Sequence, residues 1–528
     1  MTQTFAARST TGGAGLDREI LVLGAVVVLG TIMTVLDLTI VNVAIPTLGR
    51  ELATSISAIQ WVMTGYMLAF ASVIPLTGWA SERFGAKRVW IASLLVFLLG
   101  SALCGLAWSI GSLIVFRVLQ GLGAGMILPL GQTMLAQAAG PQRIGRVMSL
   151  IGVPMLLAPV LGPVLGGAIV ESWSWRWIFF LNLPVGVTAI VAARRLLREA
   201  RPQVGQRLDL RGLALLSPGV ALLLYGVSEA GSAGGFENGG TLAAAALGLA
   251  LVAAFVWHAR ARGSDALIDV SLFARRGFTT AAAVNCLLPA ALFGTLLLIP
   301  LYYQLVRHDS PLQIGLLLVP QGIGAALAMP LAGYLTDRIG ARFVVTVGAV
   351  VAAAGTLAYT QLGAETPYAY LAAGLFVLGI GTGSTIMPSM AAAFQALARE
   401  ETPRATSALN VIQRTAGAIG TALLAIVLQR ALAANLPGGG GGIQALATLS
   451  GSESAATAGP ITDAFATTFW IAAGLIALAV VPALLLPRLH RPHEPVGVVA
   501  RGVRVDRAAA DRRRLGDDEQ AVTAKGAK

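Results

Sequence analysis

Long apolar runs alternate with short polar connections along almost the whole chain. A helix needs about 20 predominantly apolar residues to cross the hydrocarbon core of a bilayer, and most of these runs reach that length. The pattern predicts roughly fourteen such helices, about six over 20–196, two over 212–258 and six over 278–486. We therefore expect an all-α integral membrane protein.

An internal repeat groups these helices. GWASERFGAKR at 78–88 resembles GYLTDRIGAR at 333–342, and QGLGAGMILP at 120–129 resembles LGIGTGSTIMP at 378–388. The two pairs have similar separations, so we expect two six-helix bundles with two helices inserted between them. Parallel repeats of this kind enclose a midplane site in transporters. The expected units are a cytoplasmic N-terminal tail (1–19), an N-terminal bundle (20–200), an inserted two-helix unit with its connectors (201–277), a C-terminal bundle (278–486) and a disordered cytoplasmic tail (487–528).

Composition and charge agree with a membrane location. Hydrophobic residues make up 56% and charged residues 12% of the chain, whereas soluble proteins have roughly half and a quarter. The net charge of +12 comes from basic residues spread over the connections and the C-terminal tail, which indicates topology rather than nucleic-acid binding. The positive-inside rule places both termini in the cytoplasm. We expect a monomeric, multi-pass protein of a bacterial inner (plasma) membrane.

Asp37 is the only acidic residue well inside a predicted span. A carboxylate there is energetically unfavourable and usually marks an ion pathway or proton relay. The alternative is a polar residue that only hydrogen-bonds a neighbouring helix, as Asn42 can do. We interpret Asp37 as the proton-binding group.

Arg117 is predicted at a similar depth in the fourth span. Counted from the outer helix ends, Asp37 and Arg117 differ in depth by only ~6 Å, so they can pair directly or through water. In the alternative interpretation, Arg117 extends outward to the membrane interface. The glycines that follow Arg117 favour close helix packing over a dinucleotide loop, because no strand precedes them.

The sequence gives little indication of a metal site, an enzyme active site or a nucleotide-binding site. Cys104 and Cys286 lie inside predicted spans, and the four histidines are too far apart for a zinc site. No clustered constellation suggests an enzyme such as an acyltransferase, and no GxxxxGK[ST] phosphate loop suggests ATP as the fuel. A receptor or scaffold would not need Asp37 and Arg117 at similar depth. We expect no enzyme activity, no metal and no cofactor, with the proton gradient as the energy source.

Several segments resemble the major facilitator superfamily. GWASERFGAKR resembles its cytoplasmic loop signature, FRVLQGLGAG its motif with a membrane-embedded arginine, and APVLGPVLGG at 158–167 the motif of its antiporters. LDLTIVNVAIPTL at 36–48 and WRWIFFLNLPVG at 175–186 resemble the fourteen-span drug:proton antiporter branch. The aromatic residues of the latter are also typical of a belt at the membrane interface. The resemblance covers essentially the whole membrane portion and neither tail.

The resemblance implies roles for two groups of residues. A latch that holds the two halves in the outward-open state would comprise Gly78, Glu82, Arg83, Gly85, Lys87, Asp337 and Arg338. The antiporter motif would comprise Pro159, Gly162, Pro163, Gly166 and Gly167. Prolines interrupt helical hydrogen bonds and glycines permit close packing, although a purely structural kink uses the same residue types.

Polar and aromatic side chains inside the spans are candidates for a substrate cavity. They are Asn42, Trp61, Tyr66, Gln132, Asn285, Tyr302 and Arg414. Single residues of these types are more often packing devices. Arg414 can bond backbone carbonyls, face a wet cavity, or bind an anionic lipid or substrate, and we rank structural bonding first.

We therefore expect a proton-coupled antiporter that exports hydrophobic or cationic drugs or antibiotics from the cytoplasm by alternating access. Its partners would be small molecules, protons and the bilayer. A dedicated exporter of a single endogenous metabolite or self-made antibiotic stays open, because both need a wide apolar cavity. A nutrient importer is disfavoured by the antiporter motif.

Overall fold

The computed structural model describes residues 17–488, apart from 53, 141, 198, 200–206, 234, 364, 396 and 436–450. The described residues form helices and connections, with no strand among them. The expected tails at 1–19 and 487–528 lie almost entirely outside the described residues, so the disorder of the C-terminal tail stays a prediction.

The helices follow the predicted order. The first group consists of α1 (Arg18–Glu51), α2 (Ile56–Val73), α3 (Leu76–Phe84), α4 (Ala86–Gly105), α5 (Ile110–Ala139), α6 (Ile144–Ser172), α7 (Arg176–Phe180) and α8 (Asn182–Leu196). The inserted pair is α9 (Leu210–Ala233) and α10 (Gly239–Arg262). The last group consists of α11 (Arg276–Leu305), α12 (Pro311–Leu317), α13 (Val319–Ile339), α14 (Ala341–Leu357), α15 (Tyr368–Gly383), α16 (Ile386–Gln395), α17 (Thr402–Asn435) and α18 (Gly451–Leu484).

The helices form segments that can span a membrane. Within the described residues, 12 segments are long and apolar enough, some of them made of two consecutive helices such as α7 and α8, and α2 with α3 forms one further span that bends by 54°. The 29-residue helix α6, part of whose side chains lie outside the described residues, is also long enough. The all-α membrane architecture is therefore confirmed, with a number of spans that fits the expected two bundles and inserted pair.

The inserted pair lies beside the junction of the two bundles. Helix α9 contacts α10, α2 of the first bundle and α17 of the second. Small residues permit this approach: a Cβ on Gly226 would lie 2.5 Å from the backbone nitrogen of Ala245 on α10, and one on Gly231 would lie 3.0 Å from the Cα of Ala422 on α17. Helix α9 thus covers the α2–α17 side of the junction.

Candidate functional site

The carboxylate of Asp37 lies buried inside the N-terminal bundle and accepts three hydrogen bonds. Its Oδ2 accepts one from Nη1 of Arg117 at 2.6 Å, and its Oδ1 accepts from Nε2 of Gln120 at 2.9 Å and Nδ2 of Asn182 at 3.0 Å. The donors come from α5 and α8, so three helices meet at one acid. The ionised carboxylate is well satisfied by this arrangement.

Arg117 is also held from α2. Its Nε donates to the carbonyl oxygen of Val62 at 3.3 Å, Nη1 also donates to Oε1 of Gln120 at 2.8 Å, and the guanidinium carbon lies 4.0 Å from the centroid of the Tyr66 ring. Both side chains of the Asp37–Arg117 pair are 0% exposed, so Arg117 does not extend to the interface. Its Nη2 and the Tyr66 hydroxyl are buried and have no hydrogen-bond partner among the described residues. A buried pair of this kind depends on both charges being present, because either one alone would be uncompensated.

Sequence reasoning missed two members of this network. Gln120 follows Arg117 by one helical turn and therefore shares its face of α5, a spacing that could have identified it. Asn182 is a single amide after the aromatic residues of α7. Only the packing of α8 against α1 brings Asn182 to Asp37, so spacing along the chain gives no signal for it.

The glycines of the expected antiporter motif place α6 directly against the turn of α1 that follows Asp37. A Cβ on Gly162 would lie 2.5 Å from the Cβ of Thr39, and one on Gly166 would lie 3.1 Å from the carbonyl oxygen of Ile40. A Cβ on Gly167 would meet nothing within 4 Å. The side chains of Pro159 and Pro163 lie outside the described residues, although the backbone of α6 is helical throughout its length. Gly162 and Gly166 are thus contact positions, whereas Gly167 is not.

Glu82 and Asp337 each reach the opposite bundle at the end expected to face the cytoplasm. Nε and Nη2 of Arg404 lie 3.1 Å from Oε2 of Glu82, where α17 begins. In the second repeat, Asp337 accepts from the backbone nitrogen of Gly145 at 2.8 Å and from Nε of Arg146 at 2.9 Å, where α6 begins. A carboxylate is favourable at a helix N-terminus because of the helix dipole. The two bundles are therefore joined twice at this end, by corresponding residues of the repeat.

Close backbone contacts support both junctions. A Cβ on Gly78 would lie 3.1 Å from the Cα of Arg404, and the hydroxyls of Thr77 and Ser407 lie 2.5 Å apart. A Cβ on Gly333 would lie 2.7 Å from the carbonyl oxygen of Gly145. The helices can approach this closely only without side chains at the two glycines.

Other residues of the expected latch do not join the bundles. Nζ of Lys87 donates to the carbonyl oxygen of Arg194 at 3.3 Å, which stabilises the C-terminal end of α8 in the same bundle. Gly85 has a φ of 91°, and a Cβ there would lie 2.8 Å from Cδ of Glu199. Arg83 is exposed, and Arg338 lies 4.7 Å over the ring of Tyr334 on its own helix. In this conformation Lys87, Gly85 and Arg338 contact residues of their own bundle and Arg83 is exposed, so a latch role of these four stays a prediction.

A cavity of about 1140 Å³ lies between the bundles toward the end opposite the latch. Its walls are formed by α2, α9, α11 and α17, with apolar residues that include Met63, Met67, Phe70 and Phe293. Flexible methionines and aromatic rings are typical of sites that accept varied apolar ligands. The inserted helix contributes Tyr225 to the wall. This contribution was not foreseen, because the sequence of α9 resembles that of any apolar span.

Of the seven expected cavity residues, Arg414 lines this cavity. Three of the others use their polar groups elsewhere: Asn285 donates to the carbonyl of Ala281, Tyr302 to that of Gly363, and Gln132 accepts from Nδ2 of Asn410 at 2.7 Å. These bonds satisfy helix backbone or join helices, which is the packing role expected of most single polar residues.

The last three candidates are not among the residues that line the cavity, although Trp61 contacts the wall residue Tyr225. Tyr66 is buried against Arg117. Asn42 is exposed, and Trp61 is half-exposed and stacks on Tyr225 with the ring centroids 5.9 Å apart. None of these six residues is among those that line this cavity, and their part in a substrate site stays a prediction. Within the described part of the chain, no group of three or more His, Cys, Asp or Glu side chains could hold a metal ion.

Comparisons with known proteins agree on one family. The family model described as Major Facilitator Superfamily matches residues 27–421 and 281–510. The "Multidrug resistance protein B homolog" of Mycobacterium tuberculosis (strain ATCC 25618 / H37Rv) is 40% identical over 496 residues, which are 90% of this chain and 92% of the relative. The "Multidrug export protein EmrB" of Escherichia coli (strain K12) is 32% identical over 401 residues, 75% of this chain and 77% of the relative. The solved structure of the proton:xylose symporter XylE has a TM-score of 0.61 at 13% identity, with 89% of this chain and 96% of that chain covered, and shows the fold alone.

Proposed function

The chain belongs to the major facilitator superfamily, among its drug efflux transporters, and on this premise we propose that it is a proton-coupled antiporter. It is a multi-pass membrane protein of a bacterium and a non-enzymatic transporter of small molecules. In our proposal it exports hydrophobic or cationic drugs from the cytoplasm by alternating access. It does so as a monomer, without a cofactor and with both termini inside.

The buried Asp37–Arg117 pair carries this proposal. A proton on Asp37 removes the negative charge and leaves the guanidinium of Arg117 buried without a counter-charge. Breaking a buried pair in this way costs about 3–5 kcal/mol. Shifting a two-state equilibrium from 1:99 to 99:1 takes about 5.5 kcal/mol. Protonation of one acid therefore supplies most of the free energy needed to change the conformation.

Helix α2 connects the Asp37–Arg117 pair to the cavity. Val62 and Tyr66 contact Arg117, whereas Met63, Met67 and Phe70 of the same helix line the cavity. A shift of α2 that follows the loss of the ion pair thus moves one cavity wall. The glycines of α6 permit α1 to move beside α2, because they place no side chain against the turn after Asp37.

The conformation of this structure fits the outward-facing state of the proposed transport cycle. The bundles are joined at the latch by Glu82 and Asp337, and the cavity extends to Arg430 near the last turn of α17. In the proposed cycle, Asp37 takes up a proton from outside, the latch opens, and cytoplasmic substrate displaces the proton. Each proton that enters releases about 2.3 kcal/mol per 100 mV of membrane potential.

A dedicated exporter of one endogenous metabolite is the alternative. Ligand sites for single drug-sized compounds have volumes of about 300–1,000 Å³. The cavity of about 1140 Å³ is similar in size, so its volume does not separate the two, whereas its flexible methionine side chains favour several compounds. A panel of unrelated substrates separates the two possibilities.

The test uses inverted membrane vesicles energised with a proton gradient and a panel of lipophilic dyes and antibiotics, with lumenal pH as the readout. We expect substrate-dependent proton release by the wild-type protein and none by Asp37→Asn. The matched control is Glu365→Gln, at an exposed residue outside the helices, which should behave as wild type. Full proton-driven export by Asp37→Asn would show that Asp37 is not the coupling group.

A further inference from the structure

One cationic side chain lies deep in the cavity. Arg414 lies about 18 Å along the helix axis from the first residue of α17, and its guanidinium carbon is 4.7 Å from the centroid of the Phe70 ring on α2. In the described ranges, no carboxylate is within ion-pair distance of this guanidinium and no hydrogen bond to it is formed. The structural role ranked first from the sequence, a bond to backbone carbonyls, therefore has no support among these residues.

The charges that line the cavity are unevenly distributed. They belong to Arg414, Arg430 and Glu237. Arg430 is about 24 Å farther along α17 than Arg414, and Glu237 is exposed in the connection after α9. The inner part of the lining thus carries one formal charge, which is positive, and the acid lies at the mouth.

The surroundings of Arg414 leave room for a ligand group. The next turns of α17 present Gly417, Ala418 and Thr421 to the cavity, and these side chains are small. The facing walls are apolar, with Met67 on α2 and Leu297 on α11. Such a site fits a compound with a bulky apolar body and one charged head.

We infer that Arg414 binds an acidic group of the transported compound, so that the preferred substrates are amphiphilic organic anions such as carboxylates or sulfonates. The inference rests on the proposed export function and replaces the cationic drugs named in that proposal with anionic compounds. A guanidinium offers two parallel donors to a carboxylate, and the pair is stronger in an apolar cavity than in water. A cationic compound in the same place meets a like charge, which excludes it.

This role also accounts for a charged residue in a membrane span. An arginine at this depth is unfavourable unless it pairs or faces a water-filled pathway. Contact with the ring of Phe70 offsets part of that cost and holds the guanidinium toward the cavity. An anionic ligand supplies the missing counter-charge during transport.

The test compares three probes with one apolar body: pyrenebutyrate, pyrenebutanol and pyrenebutylamine. Binding to the full-length protein in phosphatidylcholine nanodiscs is followed by pyrene fluorescence, with empty nanodiscs subtracted and no proton gradient. This neutral lipid leaves Arg414 free of lipid anions. The variants are Arg414→Gln and Arg414→Lys, with Arg260→Gln as the matched control at an exposed arginine of α10 outside the cavity lining.

We expect the wild-type protein to bind the acid about tenfold more tightly than the alcohol, which corresponds to about 1.4 kcal/mol, and to bind the amine least. Arg414→Gln should bring acid and alcohol within about twofold of each other while leaving the affinity for the alcohol unchanged. Arg414→Lys should keep part of the preference, and Arg260→Gln should keep all of it.

Three results would overturn the inference: equal affinities in the wild type, an unchanged ratio in Arg414→Gln, or an equal loss for acid and alcohol, which marks a structural role. Asp37→Asn separates this inference from the proposed function. That variant should keep the preference for the acid and lose proton-driven export. Export by Asp37→Asn at the wild-type rate, with the preference intact, would contradict the coupling role of Asp37 and leave the anion site standing.

Discussion

The contact between Glu82 and Arg404 in the proposed latch can be tested by a single substitution, and the structure allows the expected change in free energy to be estimated. In Glu82→Gln, the side chain keeps its shape and one acceptor oxygen but loses the charge that faces Arg404. The side chains of Arg404 and Glu82 are 13% and 3% exposed, so the pair is largely shielded from solvent. Hydrogen bonds to charged groups contribute about 1.5–3 kcal/mol when they are removed from water in this way.

That free energy acts on one conformation only, because the contact joins two bundles that separate when the latch opens. Its loss should therefore shift the equilibrium toward the open latch by roughly 10- to 100-fold. Asp337, which contacts the other bundle at Gly145 and Arg146, stays in place and limits the shift. We expect a partly opened population rather than complete opening.

Double electron–electron resonance can measure this population. Arg83 and Arg338 are exposed at the same end, on opposite bundles, so spin-labelled Arg83→Cys and Arg338→Cys report the separation, with Cys104 and Cys286 replaced by alanine. Glu400→Gln, at an exposed acid just before α17, is the matched control and should match wild type. The double variant Glu82→Arg/Arg404→Glu should restore the closed distance. An unchanged distance distribution in Glu82→Gln would refute the assignment of this pair as a latch.

Two further outcomes follow from local contacts. Gly162→Ala should lower the free energy of unfolding by about 1–3 kcal/mol through overpacking against Thr39, and should slow export. Gly167→Ala should do neither, because a Cβ there meets no described atom within 4 Å. Similar melting temperatures for the two variants would contradict the placement of α6. At Glu401, the hydrogen bonds from Arg275 lower the pKa of the carboxyl in the folded protein. The ion pair therefore stabilises the fold at pH values above the ordinary glutamate pKa, and this stabilisation is lost as the pH falls through the lower pKa of the folded state. Glu401→Gln should therefore be less stable than wild type at pH 7, by less than about 1 kcal/mol for an exposed pair, and this difference should vanish on acidification; a difference that persists at low pH would exclude the ion pair as its source.

The sequence by itself determined the membrane architecture, because apolar runs of bilayer length have few alternatives to the transmembrane helix. It also pointed to Asp37 and Arg117, since a charge inside an apolar run is visible without a structure. The repeat located Glu82 and Asp337 at corresponding positions of the two halves. All of these features depend on hydrophobicity, charge and spacing along one helix.

Only the tertiary structure decided which polar groups meet. Asn182 reaches Asp37, and Arg404 reaches Glu82, because helices distant in the chain pack side by side. The same packing brings the hydroxyl of Tyr302 to the carbonyl of Gly363 and leaves Arg414 facing the cavity. Whether a polar residue within a span faces a ligand or a neighbouring helix depends on the rotation of its helix against the others. That rotation is set by packing between segments that are distant in the chain. The hydrophobic pattern of a span does not predict the rotation when the span is apolar on every side.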